Sequence, residues 1–263
     1  MPLTIQSVID LLISQAPGAP FEKTVDTVKA GDPTQPLRGI VTTFMATRPV
    51  IAQAQAAGAN FIITHEPIYY NHEDKIDWLQ GDAVFEAKHQ FLTGSGITVW
   101  RFHDYWHSYH PDGIQVGFAR RVGWEFYQDA QDSSLYHLPP TPLAKLAVQL
   151  KARLGMPSLR LVGDPNMTCQ HVSAMLGAPG GDWLMVALRS AQVDTLLCGE
   201  TVEWQICEYA RDSAFTSQPK AVIVLGHERS EEMGMAYLAD WLKDHLPDVP
   251  VRHIPSGDPF QYL

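Results

Sequence analysis

The chain reads as an α/β protein of two lobes built on mostly parallel sheets. Three observations predict this. Short apolar runs without polar alternation mark strands buried on both faces, and they alternate with segments whose apolar residues recur at helical spacing. A polar, proline-rich stretch then divides the series into a first lobe over residues 1–127 and a second over 128–263.

In order, Ile5, Val8, Ile9 and Leu12 describe an amphipathic first helix, and not a signal peptide, because no basic region precedes them. Prolines over 17–20 break it, and the turn-rich loop 31–36 leads to a strand over 37–44. Pro49 opens a helix that Gly58 closes, the asymmetry helix ends favour. The run 61–64 is the next strand, Val84, Phe85, Lys88 and Leu92 mark a helix, and 97–102 is a third strand. Residues 128–142 are taken as the linker between lobes. Beyond it follow a helix over 143–154, strands at 159–162 and 171–176, a glycine-rich turn at 177–181 and a helix from Asp182. A strand at 194–198, a helix over 202–213, a strand to Leu225 and a last helix carrying Leu238, Trp241, Leu242 and His245 complete the series.

Composition narrows the function. With 263 residues, 45% of them hydrophobic and 18% charged, the chain can bury a sizeable core. A formal charge of -10 without any basic run argues against nucleic acid as a partner. No stretch approaches the roughly 20 apolar residues of a membrane span. Cys169, Cys198 and Cys207 make an odd set without Cys-x-x-Cys spacing, which fits a reducing cytoplasm and excludes a thiolate zinc knuckle. Cys198 and Cys207 are expected to be buried, and no Gly-x-Ser-x-Gly marks a serine hydrolase. The glycines of 177–181 lack the Lys-Ser/Thr of a phosphate loop and read as a turn.

The chemistry gathers where strands end. In open α/β sheets ligands bind at the carboxyl edge, and here one strand stops at Thr64-His65-Glu66-Pro67, another at His103-Asp104-Tyr105-Trp106-His107, a third at Gly199-Glu200 and a fourth at Gly226-His227 through Glu231. His103 with His107, and His227 with Glu231, stand four apart, which on a helical turn places them side by side. These ends are expected to converge on one metal site. Imidazole and carboxylate without thiolate suit zinc, iron, manganese, cobalt or nickel. His72, His89, His110, His137, His171, His245 and His253 read as ordinary helix, loop or tail positions, with His110 kept as a candidate proton-transfer group. Tyr69, Tyr70, Tyr105, Trp106 and Tyr109 read as core or interface residues, or as a stacking wall for a flat heterocycle.

These motifs resemble, in order and over nearly the whole chain, those of the NIF-three-like dinuclear metal centre family, whose members carry the name GTP cyclohydrolase 1 type 2 homologue. Thr64-His65-Glu66-Pro67 stands where the family has Thr-His-His-Pro, and His103-Asp104-Tyr105-Trp106-His107 where it has His-Thr-Asn-x-Asp. Leu161-Val162-Gly163-Asp164, Cys198-Gly199-Glu200 and the Gly226-His227 to Ser230-Glu231 segment are similar to its remaining motifs. The two departures are reciprocal: a histidine has become Glu66 and a carboxylate has become His107, with Asp104 an alternative carboxylate.

The resemblance implies two intertwined αβα lobes with the site in the cleft between them, and a homohexamer in the cytoplasm. It also implies one or two divalent ions on His65, Glu66, His103, His107, His227 and Glu231. The expected function is a metal-dependent hydrolase in which Glu66 or Glu231 bridges the ions and serves catalysis, acting on a small molecule such as a purine nucleotide or related heterocycle. A metal-binding or regulatory scaffold without turnover is the alternative from another class. An open coordination position beside a cleft separates the two readings.

Overall fold

Strands whose residues are all buried organise two five-stranded sheets in the computed structural model, which describes residues 3–262. The chain forms two compact units, one containing the residues up to Ile114 together with Gly234–Gly257, the other Gln115–Met233 together with the residues from Asp258 on.

In the first unit the elements are α1 (Ile5–Gln15), β1 (Val28–Ala30), β2 (Ile40–Thr43), α2 (Arg48–Ala56), β3 (Phe61–Thr64), α3 (Ala83–Ser95), β4 (Thr98–Arg101) and α4 (Asp104–Ser108). The sheet order is β1, β4, β3, β2 and then β10 (Val251–His253). β2, β3, β4 and β10 run parallel and β1 closes one edge antiparallel. β2, β3 and β4 are buried along their whole lengths, as parallel strands covered on both faces must be. Val41, Ile62 and Val99 pack on one face with Val50, Ile51 and Ala54 of α2 and Phe85 and Leu92 of α3. Thr47 and Asp82 cap those two helices through side-chain oxygens, and Gly96 ends α3 in the left-handed conformation. Trp106 stacks on Tyr237 at 5.8 Å between centroids, which ties α4 to the later helix within this unit.

The second unit holds a sheet of order β5 (Leu135–Pro142), β7 (Thr168–Met175), β8 (Thr195–Cys198), β9 (Ala221–Val224) and β6 (Arg160–Val162). β7, β8 and β9 are parallel, and the two edge strands are antiparallel to their neighbours. Leu184 and Leu188 of α7 (Gly181–Arg189) and Ala210 of α8 (Glu208–Ser213) cover Leu196, Cys198, Val222 and Val224. α5 (Gly113–Val122) and α6 (Leu143–Leu154) precede them, and α9 (His227–His245) follows β9.

The single boundary expected over 128–142 is replaced by a division near residue 114, and the chain returns to the first unit at Gly234. The physical reason lies in β5. Leu135, Tyr136 and Leu138 are buried, while Pro139 and Pro140 fall at a register shift of an edge strand and Pro142 at its end, where a missing N–H costs little. The helix expected over 202–213 begins as a π-helical turn over Glu203–Cys207, and Cys207 is half-buried where burial was expected. No helix among the described residues is long and apolar enough to cross a membrane.

Candidate metal centre

The first unit brings His65, His103 and His107 together. His65 follows β3, His103 follows β4, and one turn of α4 carries His107, whose N–H donates to the His103 carbonyl at 3.0 Å. One ligand atom from each ring lies within 4.8 Å of the others, and the ring centroids are 4.7 to 5.0 Å apart.

The orientation of the rings follows from what holds their Nδ1 atoms. His65 Nδ1 faces the Phe102 carbonyl at 3.2 Å, and a carbonyl only accepts, so that nitrogen carries the proton. His103 Nδ1 lies 2.9 Å from Asp104 Oδ1, and His107 Nδ1 2.9 Å from Asp112 Oδ2. With the proton on Nδ1, the remaining lone pair of each ring is on Nε2. Histidine ligands of metal ions are held in this way, by an acceptor on the far nitrogen. Burial pushes the His103 imidazole down to about 4, and the neighbouring rings of His65 and His107 act in the same direction against the pull of Asp104. His103 is neutral at pH 7. The donor set fits a divalent, imidazole-preferring ion.

Buried side chains fix the loops that carry the triad. Asp26 accepts from the backbone N–H groups of His103, Asp104 and Tyr105 at 2.8, 3.1 and 2.9 Å, which caps the exposed start of α4. Burial raises its pKa against those three bonds. Arg101, fully buried, donates to the carbonyls of His65 and His72 and pairs with Glu66 Oε2 at 3.4 Å. Glu66 Oε1 stands 3.7 Å from His103 Nε2. Asp104, the alternative ligand, instead orients His103 and accepts from Thr24 Oγ1 and the Val25 N–H, and these bonds, the one to His103 first, hold it below the usual carboxylate range.

In the second unit His227 and Glu231 meet on the first turn of α9, Nε2 to Oε2, at 3.0 Å. Glu200, at the end of β8, holds His227 Nδ1 at 3.0 Å, the same anchoring seen in the triad. Glu231 is buried, and Gly177 lies against it so closely that a Cβ there would stand 2.2 Å from Oε1. Ser230 Oγ accepts from the Gly177 N–H at 2.9 Å. The glycine-rich turn thus shapes the carboxylate's surroundings.

A cavity of about 430 Å³ in the first unit is lined by Lys23, Thr24, Val25, Thr27, Lys29, His72, Glu73 and Asp104. His72, read from sequence as a loop position, sets its ring edge-on to His103 at 5.8 Å. Tyr69, Tyr105 and Trp106 are core residues, whereas Tyr70 is half exposed. Asp26, Asp112 and Arg101 escaped the sequence reading. Asp112 had a usable signal, an acid five residues beyond His107, while Asp26 and Arg101 act through loop backbone that no pattern records.

The fold is α/β, and histidines and carboxylates at its strand exits form groups that could hold a metal ion. The chain belongs to the Duf34/NIF3 (NGG1p interacting factor 3) family, whose model matches residues 4–259. It is 22% identical over 246 residues, 89% of each chain, to a GTP cyclohydrolase 1 type 2 homolog of Clostridium perfringens. Its fold is similar to that of a Bacillus cereus protein related to NIF3 (TM-score 0.80, 13% identity, 100% of both chains). It is also similar to Staphylococcus aureus protein SA1388 (TM-score 0.79, 18% identity, 100% of both chains).

Proposed function

We propose that the protein is a divalent-metal-dependent hydrolase acting on a purine nucleotide or related heterocycle, with one or two ions held by His65, Glu66, His103, His107, His227 and Glu231. The observation that carries the metal part is the triad: three imidazoles of the first unit, each with its Nδ1 anchored and with one ligand atom within 4.8 Å of the others. That His227 and Glu231 serve the same centre is part of the proposal, supported by the carboxylate that holds His227 Nδ1 and by the family. A bound divalent ion supplies Lewis acidity and makes water more acidic.

The chain's own residues do the rest. His103 and His107 are partly exposed, at 22% and 32% of their side chains, so the triad is reachable from solvent. Glu66 and Glu231 are the carboxylates that would accept the proton of the attacking water. The cavity beside Asp104 and His72 has the volume of a small-molecule site, and its two lysines suit an anionic tail. The name of the Clostridium perfringens relative supports the substrate class. The same reading carries a homo-oligomer, a hexamer by resemblance, in the cytoplasm.

Elemental analysis of protein purified without added metal, run beside a hydrolysis screen of cyclic and phosphorylated purines, tests this. Expected are bound divalent metal and turnover that chelation abolishes. Metal without turnover would convert the protein into a metal-binding or regulatory scaffold, and absence of metal affinity would overturn both readings.

A further inference from the structure

A second histidine pair stands on the edge of the other sheet, inside the second unit and apart from His227 and Glu231 in sequence and in partners. His137 on β5 and His171 on β7 are direct register partners in an antiparallel pair. Their backbone groups turn away from each other. The His137 N–H donates to the Tyr127 carbonyl at 2.7 Å, the His171 N–H to Asp194 Oδ2 at 2.8 Å, and the His171 carbonyl accepts from the Asp194 N–H at 3.0 Å. The two residues are therefore a non-hydrogen-bonded pair, the position at which facing side chains come closest.

The rings use that closeness in a particular way. His137 Nδ1 and His171 Nδ1 face each other at 3.0 Å, with the ring planes at 77°. His137 Nε2 is engaged elsewhere, by Asp129 Oδ2 at 2.9 Å. Asp129 is itself fixed, since its Oδ1 accepts from the N–H groups of Gln131 and Asp132 at 2.8 and 3.1 Å. Asp129 accepts a hydrogen bond from Nε2–H, so the neutral His137 ring has its lone pair on Nδ1, which faces His171. In the metal-free pair His171 Nδ1–H donates to that lone pair; a shift of the His171 proton from Nδ1 to Nε2 through solvent turns both Nδ1 atoms into acceptors. Two Nδ1 atoms 3.0 Å apart can both reach one ion at the roughly 2.0–2.1 Å of a zinc–imidazole bond if the rings turn slightly, and one ring is already held by a carboxylate.

We propose that His137 and His171 form a two-imidazole clamp for an imidazole-preferring divalent cation such as Zn²⁺, oriented by Asp129 and completed by water. His137 is exposed on 44% of its side chain, so solvent ligands and the ion itself have direct access. The reading is independent of the proposed hydrolase centre, because none of its atoms belongs to a residue of that centre.

The test is Zn²⁺ binding by the full chain after chelation, measured by equilibrium dialysis and by imidazole NMR, for wild type and for H137A, H171A and D129N. Wild type is expected to hold one equivalent more than either alanine variant, with the His137 and His171 ring signals moving together on titration. D129N should keep the equivalent but bind it about 10–100-fold more weakly, the usual loss when the partner of a ligating histidine is removed. Both rings are at the surface, so circular dichroism and melting should confirm that the variants fold. Equal stoichiometry in wild type and both alanine variants, or ring signals that ignore Zn²⁺, would show an ordinary histidine–histidine hydrogen bond and overturn the clamp.

Discussion

His107 and Asp112 are joined Nδ1 to Oδ2 at 2.9 Å, while the other oxygen of Asp112 accepts from the Ile114 N–H at 2.7 Å at the start of α5. One carboxylate thus orients a ring of the triad and caps a helix.

The two roles separate by substitution. D112N keeps a capping oxygen but loses the charged acceptor, so metal affinity should fall about 10–100-fold with little change in melting temperature. D112A should lose the same affinity and about 1 kcal/mol of stability as well. Calorimetric metal titration and thermal melts of the two variants check this; equal metal affinity in D112N and wild type would remove Asp112 from the site.

The metal-free protein should lose stability as pH falls. His103 is held near 4 against an ordinary 6.5, so between those values the unfolded chain binds a proton that the folded chain refuses. The sign is fixed by that difference: stability present above about 6.5 declines toward 4, by roughly 3 kcal/mol at 1.36 kcal/mol per pH unit. Asp104, held low by its hydrogen bonds, acts in the same direction further down. Urea denaturation at pH 7.0 and 4.5 should show the decline, and H103Q should flatten it over this range.

Gly177 should tolerate no side chain. Its φ is +70° and a Cβ would strike Glu231, whereas Gly58, at φ +74°, has open space around it. G58A should cost only the left-handed backbone penalty, about 1–2 kcal/mol. G177A should cost more than G58A and should also weaken metal binding through displacement of Glu231. Matching melting and binding losses in the two variants would argue against this packing role.

Metal removal should be felt at several strand ends. At a hundredfold excess over Kd a bound ion stabilises the folded chain by about 2.7 kcal/mol, so a chelator should lower Tm. If all six proposed ligands serve one centre, hydrogen exchange should rise after Thr64, Phe102 and Leu225 together. A rise confined to one unit would assign the metal to that unit alone.

The central strands were legible because parallel strands covered on both faces are mostly apolar without alternation, as Phe61–Ile63 and Ala221–Val224 are. The histidine pairs were legible because spacing by four on a helical turn brings side chains together. β1 and β10 were not read, since three residues are too few to show a period, and those of β1 are all half-buried. α5 was not read although Ile114, Phe118 and Val122 recur four apart on its buried face; the glycines at 113 and 117 are poor helix formers that weaken the local signal. The outer anchors of the triad come from a backbone carbonyl, a neighbour and a loop acid, and only tertiary structure selects these among many equivalent groups.

The three rings of the triad are oriented by acceptors that belong to the chain itself. If the triad holds a metal ion as proposed, these anchors limit how far the ligands must move on loading, so the cost of ordering them falls on folding and not on binding.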